Sequence, residues 1–132
     1  MAKNTFRCRL VTPAAALVDG DVTYASVPAW DGLIGFLAGR SAFLGKLGTG
    51  ELRLEMADGG GAGKSFMVDG GFIRMANNQM TILAEKAVPA DQITPADIEV
   101  ENKAASVEED SAKRARAKAR VRVMTRLSSG RR

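Results

Sequence analysis

The residues Asp58-Gly59-Gly60-Gly61-Ala62-Gly63-Lys64-Ser65 come closest to a chemical motif. They nearly match the phosphate-binding loop Gly-x-x-x-x-Gly-Lys-Ser/Thr, in which backbone amides wrap phosphate and the lysine reaches its outer oxygens. That chemistry needs a helix directly after the loop, so that the helix N-terminus faces the anion. Here Asp58 replaces the first glycine and brings a negative charge toward the phosphates. The residues after Ser65, Phe66-Met67-Val68-Asp69-Gly70-Gly71, read as a short strand and a turn. The segment is therefore expected to be a hairpin loop between strands. The chain has no histidine, which removes Ser-His and Cys-His nucleophile pairs, His-ligated metals and the usual general base at neutral pH. Cys8 is the single cysteine, so no intrachain disulfide is possible, and a lone thiol fits a reducing compartment. Asp19 and Asp21 flank a turn glycine. Glu108, Glu109 and Asp110 suit a helix N-terminus better than a metal. No catalytic, cofactor or metal residues are expected, and the chain is read as non-catalytic.

The elements around these residues fall into two parts. Phe6, Cys8 and Leu10 alternate with Arg7 and Arg9, placing three apolar side chains on one face of a strand. The pairs Asp19-Gly20, Asp31-Gly32, Asp58-Gly59, Asp69-Gly70 and Asn77-Asn78 read as turns, since Gly accepts positive φ without steric cost. Strands are expected at about 5–12, 15–19, 22–28, 33–37, 50–56, 64–69, 72–76 and 79–84, a spacing that suits a sandwich or barrel. Trp30, beside Asp31-Gly32 at a hairpin tip, is either core or contact surface. From Pro89 the pattern turns helical. Thr94 and Pro95 supply an N-cap and a first-turn proline. Ser106 and Glu109 suggest a capping box for a second helix, and Gly130 sits just past its expected end. The expected helices are about 95–104 and 107–128. Lys and Arg alternate with apolar residues from Arg114 to Val123, which reads as strand, but Ala, Arg and Lys favour helix. Ala112, Ala115, Ala119, Val123 and Leu127 then form one apolar stripe.

Charge divides the chain in the same place. Residues 1–112 hold ten Lys and Arg against fifteen Asp and Glu, whereas residues 113–132 hold nine Lys and Arg and no acid. A mildly acidic body bears a strongly basic tail, which implies an acidic partner. Only Val123, Met124 and Leu127 would bury much on the tail, at roughly 1.5–3 kcal/mol each. Docking so weak can be tipped by a competing partner. The start of the chain lacks the apolar run of a signal peptide, and no stretch is long and apolar enough to span a membrane.

Several stretches, in order, resemble one family: Leu10-Val11-Thr12-Pro13; Asp31-Gly32-Leu33-Ile34-Gly35-Phe36-Leu37-Ala38-Gly39-Arg40, against a family pattern Asp-Gly-x-x-Gly-x-Leu-Pro-Gly-His; Leu47-Gly48, with Gly50-Glu51-Leu52-Arg53; Gly70-Gly71-Phe72; Asn78; and Thr81-Ile82-Leu83-Ala84-Glu85. The chain looks like the epsilon subunit of F-type ATP synthases. The resemblance implies a mainly β protein with an α appendage: an N-terminal β-sandwich of about ten strands, residues 1–88, then a C-terminal two-helix hairpin, residues 89–132. It implies a central-stalk subunit on the cytoplasmic face of a bacterial inner membrane, or its organelle equivalent, serving proton- or sodium-coupled ATP synthesis. The sandwich would bind the gamma subunit and the c-ring, with Trp30, Asp31, Gly32, Gly39 and Arg40 in that interface. The hairpin would fold down on the sandwich or extend along gamma, where it blocks ATP hydrolysis. Lys113, Arg114, Arg116, Lys118, Arg120, Arg122 and Arg126 would then meet the acidic surface of the alpha and beta catalytic subunits. Ala38 and Arg40 replace the family's Pro and His. Some members bind ATP through Ile-Asp-x-x-Arg-Ala, but the matching stretch here is Ile93-Thr94-Pro95-Ala96-Asp97-Ile98, which has lost the Asp and the Arg, so no tight ATP sensing is expected. The alternative reading is a small β-domain that binds nucleic acid through its basic tail. Against it stand the acidic body and the lack of an aromatic platform for bases.

Overall fold

A computed structural model describes residues 4–57 and 63–130. Six strands precede two helices: β1 (Phe6–Val11), β2 (Ala16–Ala29), β3 (Gly32–Phe36), β4 (Phe43–Met56), β5 (Gly63–Ala76), β6 (Gln79–Pro89), a 3-10 turn (Ala90–Gln92), α1 (Pro95–Val107) and α2 (Ser111–Gly130). The sheet order is β1-β6-β5-β4-β2-β3, and β1 also pairs with β2. Five strands therefore close on themselves, and β3 hangs from β2. Closure uses one parallel pairing, Arg7 opposite Gln79 through Val11 opposite Leu83; the other pairings are antiparallel.

Alternation in β1 is as the sequence dictates: Phe6, Cys8 and Leu10 are buried while Arg7 and Arg9 are exposed. These three meet Val22, Phe36, Leu52, Leu54, Val68, Ile73, Met75 and Ile82 in the main core. Burial pushes the Cys8 thiol up to about 12.

The strand count is six among the described residues, against about ten from the resemblance and eight from the residues. The strands are longer than expected. Asp19-Gly20 does not turn the chain, because Asp19 pairs with Arg9 and Gly20 with Cys8 inside β2. Asp69-Gly70 also lies within a strand. Gly70 and Gly71 have φ of 74° and 129°, so β5 bends there while keeping register with β4 and β6 on both sides. The first half of β4, masked in the sequence by Gly45, Gly48 and Gly50, pairs with β5 from Phe43 onward. Asn77-Asn78 is a true turn, with both residues at positive φ. Asp58-Gly59 lies outside the described residues.

At the helical end, Thr94 caps α1 as expected, and the capping box is found here. The Asp97 amide donates to Thr94 Oγ1 at 3.2 Å, and the Thr94 amide donates to Asp97 Oδ2 at 3.1 Å. Ser106 is not a cap. It lies inside α1, which runs on to Val107, and its hydroxyl donates to the Lys103 carbonyl. Asp110 fills the role instead, its carboxylate accepting from the Lys113 amide at 3.0 Å. Gly130 belongs to α2 and does not lie beyond it.

The apolar stripe of α2 is rotated from the expected one. Ala112 and Ala115 are exposed, and the buried positions are Ala117, Val123, Met124 and Leu127. Val123, Met124 and Leu127 pack with Ile93 and with Met67 from β5, forming a second, small core. The hairpin is thus folded onto the β-domain.

Candidate functional site

The four residues Phe66, Met67, Val68 and Asp69 are all buried, although they alternate between the two faces of β5. Phe66 and Val68 face the main core, while Met67 joins the second core under α2. Asp69 follows Met67 on that same face and is 1% exposed, the one buried charged or polar residue among those described. A charge is buried at such a site only with partners.

Its direct partners come from α2 and β4, and through them the cluster reaches α1 and β6. Arg116 Nε, on α2, donates to Asp69 Oδ1 at 2.8 Å, and Arg120 Nη1, one turn later, donates to Oδ2 at 2.6 Å. The Thr49 hydroxyl, from β4, donates to Oδ1. Arg120 Nε also donates to Glu101 Oε1 of α1 at 3.0 Å, and Lys86 Nζ of β6 donates to Glu101 Oε2 at 3.1 Å. Arg116 reaches Glu85 of β6 as well. Three carboxylates and three cations thus tie α1 and α2 to β4, β5 and β6. Burial pushes the Asp69 carboxyl up, but the hydrogen bonds from Arg116, Thr49 and Arg120 outweigh it and hold the group below its usual range. At Glu101, burial is likewise outweighed, by Arg120 and Lys86. The Asp69 and Glu85 partners raise Arg116, and Asp69 and Glu101 raise Arg120 against its own burial.

The seven basic residues singled out on the tail therefore do not form one surface. Arg116 and Arg120 face the β-domain and are engaged there. Arg126 Nη2 lies 3.5 Å from Glu51 Oε1 of β4. Lys113, Lys118 and Arg122 are exposed and Arg114 is half-buried, and none of the four makes an ion pair with a described residue.

Trp30, Asp31 and Gly32 sit at the β2–β3 turn, whereas Gly39 and Arg40 follow the other end of β3. Five residues of strand, roughly 13 Å of rise, separate the two groups. Trp30 is 72% exposed, so it is surface and not core. Gly39, at φ 82°, donates its amide to Asn78 Oδ1 at 2.7 Å. The Arg40 guanidinium lies 4.7 Å from the Phe36 ring centre and donates to the Gly35 carbonyl. Leu33, Leu37, Leu44, Phe72 and Leu83 are also exposed. Phe72 and Leu83 are directly opposite each other across β5 and β6, with Lys46 beside Phe72 on β4.

The glycine-rich segment supplies no phosphate site in its described part. Gly63, Lys64 and Ser65 begin β5, no helix follows, and Ser65 donates to Glu51. Residues 58–62 lie outside the described residues. Among the described residues no group of three or more His, Cys, Asp or Glu could hold a metal, and no helix is long and apolar enough to cross a membrane.

Asp69 was missed in the sequence because Asp-Gly read as a turn. The usable signal was the unbroken run Phe66-Met67-Val68, since a strand buried on both faces loses its alternation. An acid two residues after Met67 then shares the covered face.

The fold and the cluster define a two-part protein: a closed β-domain with a basic helical hairpin docked on it through charged contacts and a small apolar seam. Residues 5–90 match the model of the ATP synthase, Delta/Epsilon chain, beta-sandwich domain. The chain belongs to the epsilon-subunit family of F-type ATP synthases. It is similar to the ATP synthase epsilon chain of Brucella anthropi, 32% identical over 120 residues that span 89% of this chain and 87% of that one. The ATP synthase epsilon chain of Rhodopirellula baltica is 33% identical over 87 residues, 66% of either chain. Among solved structures, a chain of the Euglena gracilis mitochondrial ATP synthase (OSCP/F1/c-ring) superposes with a TM-score of 0.73 at 20% identity, covering 98% of this chain and 83% of that one. A chain of the central stalk and c-ring of the Tetrahymena thermophila mitochondrial ATP synthase gives 0.64 at 20% identity, covering 97% and 99%.

Proposed function

We propose that this chain is a non-catalytic central-stalk subunit of an F-type ATP synthase, peripheral to the cytoplasmic face of the membrane. Its β-domain joins the gamma subunit to the c-ring, and its basic hairpin restrains ATP hydrolysis by meeting acidic surface on the catalytic subunits. Family membership supports this reading. The structural observation that carries it is the outward sheet face on which Phe72 and Leu83 stand side by side, with Leu44 one row away and Lys46 and Arg74 among them. Aromatic and leucine side chains left in water beside cations suit a protein partner. The Trp30, Asp31, Gly32 turn, with exposed Leu33 beside it, and the Gly39, Arg40 segment offer the c-ring contacts at the two ends of β3.

The test is co-elution of the full chain with the gamma subunit from the same source. A stoichiometric complex is expected, lost in the Phe72→Glu/Leu83→Glu variant while its circular dichroism stays native. No complex with folded gamma overturns the reading, and DNA retardation at physiological salt then becomes the next measurement.

A further inference from the structure

We propose that Asp69 is a latch that holds the C-terminal hairpin against the β-domain, and that Arg116 and Arg120 are shared between this latch and an acidic partner. The apolar seam beneath α2 is small: Val123, Met124 and Leu127 against Met67 and Ile93. Asp69 stands next to that seam and draws both arginines from a single face of α2, where residues four apart are neighbours. Through the same two guanidiniums it reaches Glu101 of α1 and Glu85 of β6, so one carboxylate closes the whole hairpin onto the sheet.

The sheet makes room for this contact. A Cβ at position 70 would stand 2.0 Å from Arg116 Nη2 and 2.9 Å from Glu85 Oε1. Gly70 thus leaves the gap through which the Arg116 side chain lies against β5. When α2 departs, Asp69 is not left buried and unpaired: the covering helix goes with the arginines, the carboxylate is open to water, and Thr49 keeps its hydrogen bond. Both positions of the hairpin are therefore tolerable for the charge, as a two-position device requires.

While docked, Arg116 holds Asp69 and Glu85 through Nε and Nη2, and Arg120 holds Glu101 and Asp69 through Nε and Nη1, so turning either side chain to an external carboxylate surface means leaving Asp69. Lys118 and Arg122 are exposed away from this cluster in the docked state and stay available, whereas Lys113 lines the cleft beside Asp69, Glu85 and Arg116. An acidic partner meets this outward pair first and gains the inner pair only by opening the latch. The sharing, but not the latch, rests on the function proposed above.

Amide hydrogen exchange of the full chain tests both. Asp69→Asn, and separately Arg116→Gln/Arg120→Gln, should speed exchange across residues 111–130 by about a hundredfold, as expected when one side of a buried charge pair is removed. The paired strands around Ile73 and Ile82 should keep their protection. Lys118→Gln/Arg122→Gln removes the same charge and should leave residues 111–130 unchanged. Unchanged exchange in the Arg116/Arg120 variant, or equal acceleration in the Lys118/Arg122 variant, overturns the latch. If Asp69→Asn loosens the strands too, the Arg116/Arg120 variant alone decides. For the sharing, poly-L-glutamate added to the wild-type chain should speed exchange across 111–130, and no acceleration overturns it. A chain that passes these tests yet fails to bind gamma upholds the latch and overturns the stalk function.

Discussion

Replacing Gly71 with alanine should damage the β-domain out of proportion to the single methyl group added. Gly71 has φ 129°, and a Cβ there would stand 1.7 Å from the Leu83 carbonyl oxygen and 2.8 Å from its carbon. Both atoms are backbone of β6, paired to β5 at Phe72 opposite Leu83 and Gly71 opposite Ala84. No rotamer change relieves the clash, so the ladder itself must part. Backbone strain costs about 1–3 kcal/mol and overpacking a further ~1–3 kcal/mol, giving roughly 2–6 kcal/mol together. Against a total stability of about 5–15 kcal/mol this is a large fraction. With a urea dependence near 2 kcal/mol per molar, the midpoint should fall by about 2 M. Gly39→Ala is the control: φ is 82°, nothing lies within 4 Å of the added Cβ, and the cost is backbone alone, about 1–2 kcal/mol. Urea unfolding should be followed by circular dichroism, because Trp30, the single tryptophan, is already exposed and reports little. If Gly71→Ala is no less stable than Gly39→Ala, the close approach of β6 does not constrain this position and the reasoning fails.

Other expectations follow from the charged cluster, the core and the helix cap. Because Asp69 is held below its usual value near 3.8, its contribution is complete above that pH and lost as pH falls through the lowered folded value. Thermal melts should therefore show wild type and Asp69→Asn converging on acidification from pH 6 to pH 3, whereas a constant gap would refute the assignment. The Cys8 thiol, fully buried with its pKa pushed up to about 12, should resist a thiol reagent at pH 8 in the native chain and react at once in urea. Rapid native modification would contradict that burial. Thr94→Ala removes the hydroxyl half of the α1 capping box, leaving the residue-94 amide to donate to Asp97, and should cost about 1 kcal/mol, read as earlier loss of helical signal in a melt. Leu127→Ala, at the second core, should cost about 2 kcal/mol or more and loosen the hairpin in hydrogen exchange without loosening the strands.

How much was legible in the sequence depended on which signals stood alone. β1 was readable because Phe6, Cys8 and Leu10 alternate with two arginines and nothing interrupts them. The start of α1 was readable because Thr94-Pro95 combines a cap with a first-turn proline. The Asp19-Gly20 and Asp69-Gly70 pairs misled for a shared reason: glycine permits a turn but does not require one, and pairing with strands distant in sequence kept the chain extended. The first half of β4 was hidden because glycines carry no hydrophobic pattern. On α2 the burial stripe was misplaced because arginine was counted as outward. Arg120 turns inward to an acid that lies 51 residues away, a distance no local pattern spans. Exposure of Trp30 and the division of the basic residues between two faces likewise depend on packing and not on spacing.

The parallel pairing of β1 with β6 also sets an order in time. Arg7 must wait for Gln79, about seventy residues later, which at ordinary synthesis rates of roughly 5–20 residues per second means about 4–14 s. Until then β1 has only β2 beside it, and the ring of strands stays open. Such distant pairing slows folding generally. The hairpin is made later still, so Asp69 spends that interval as an ordinary solvated carboxylate. Its arginines follow β6 in the chain, so every strand of the ring has been made before the helix that covers Asp69.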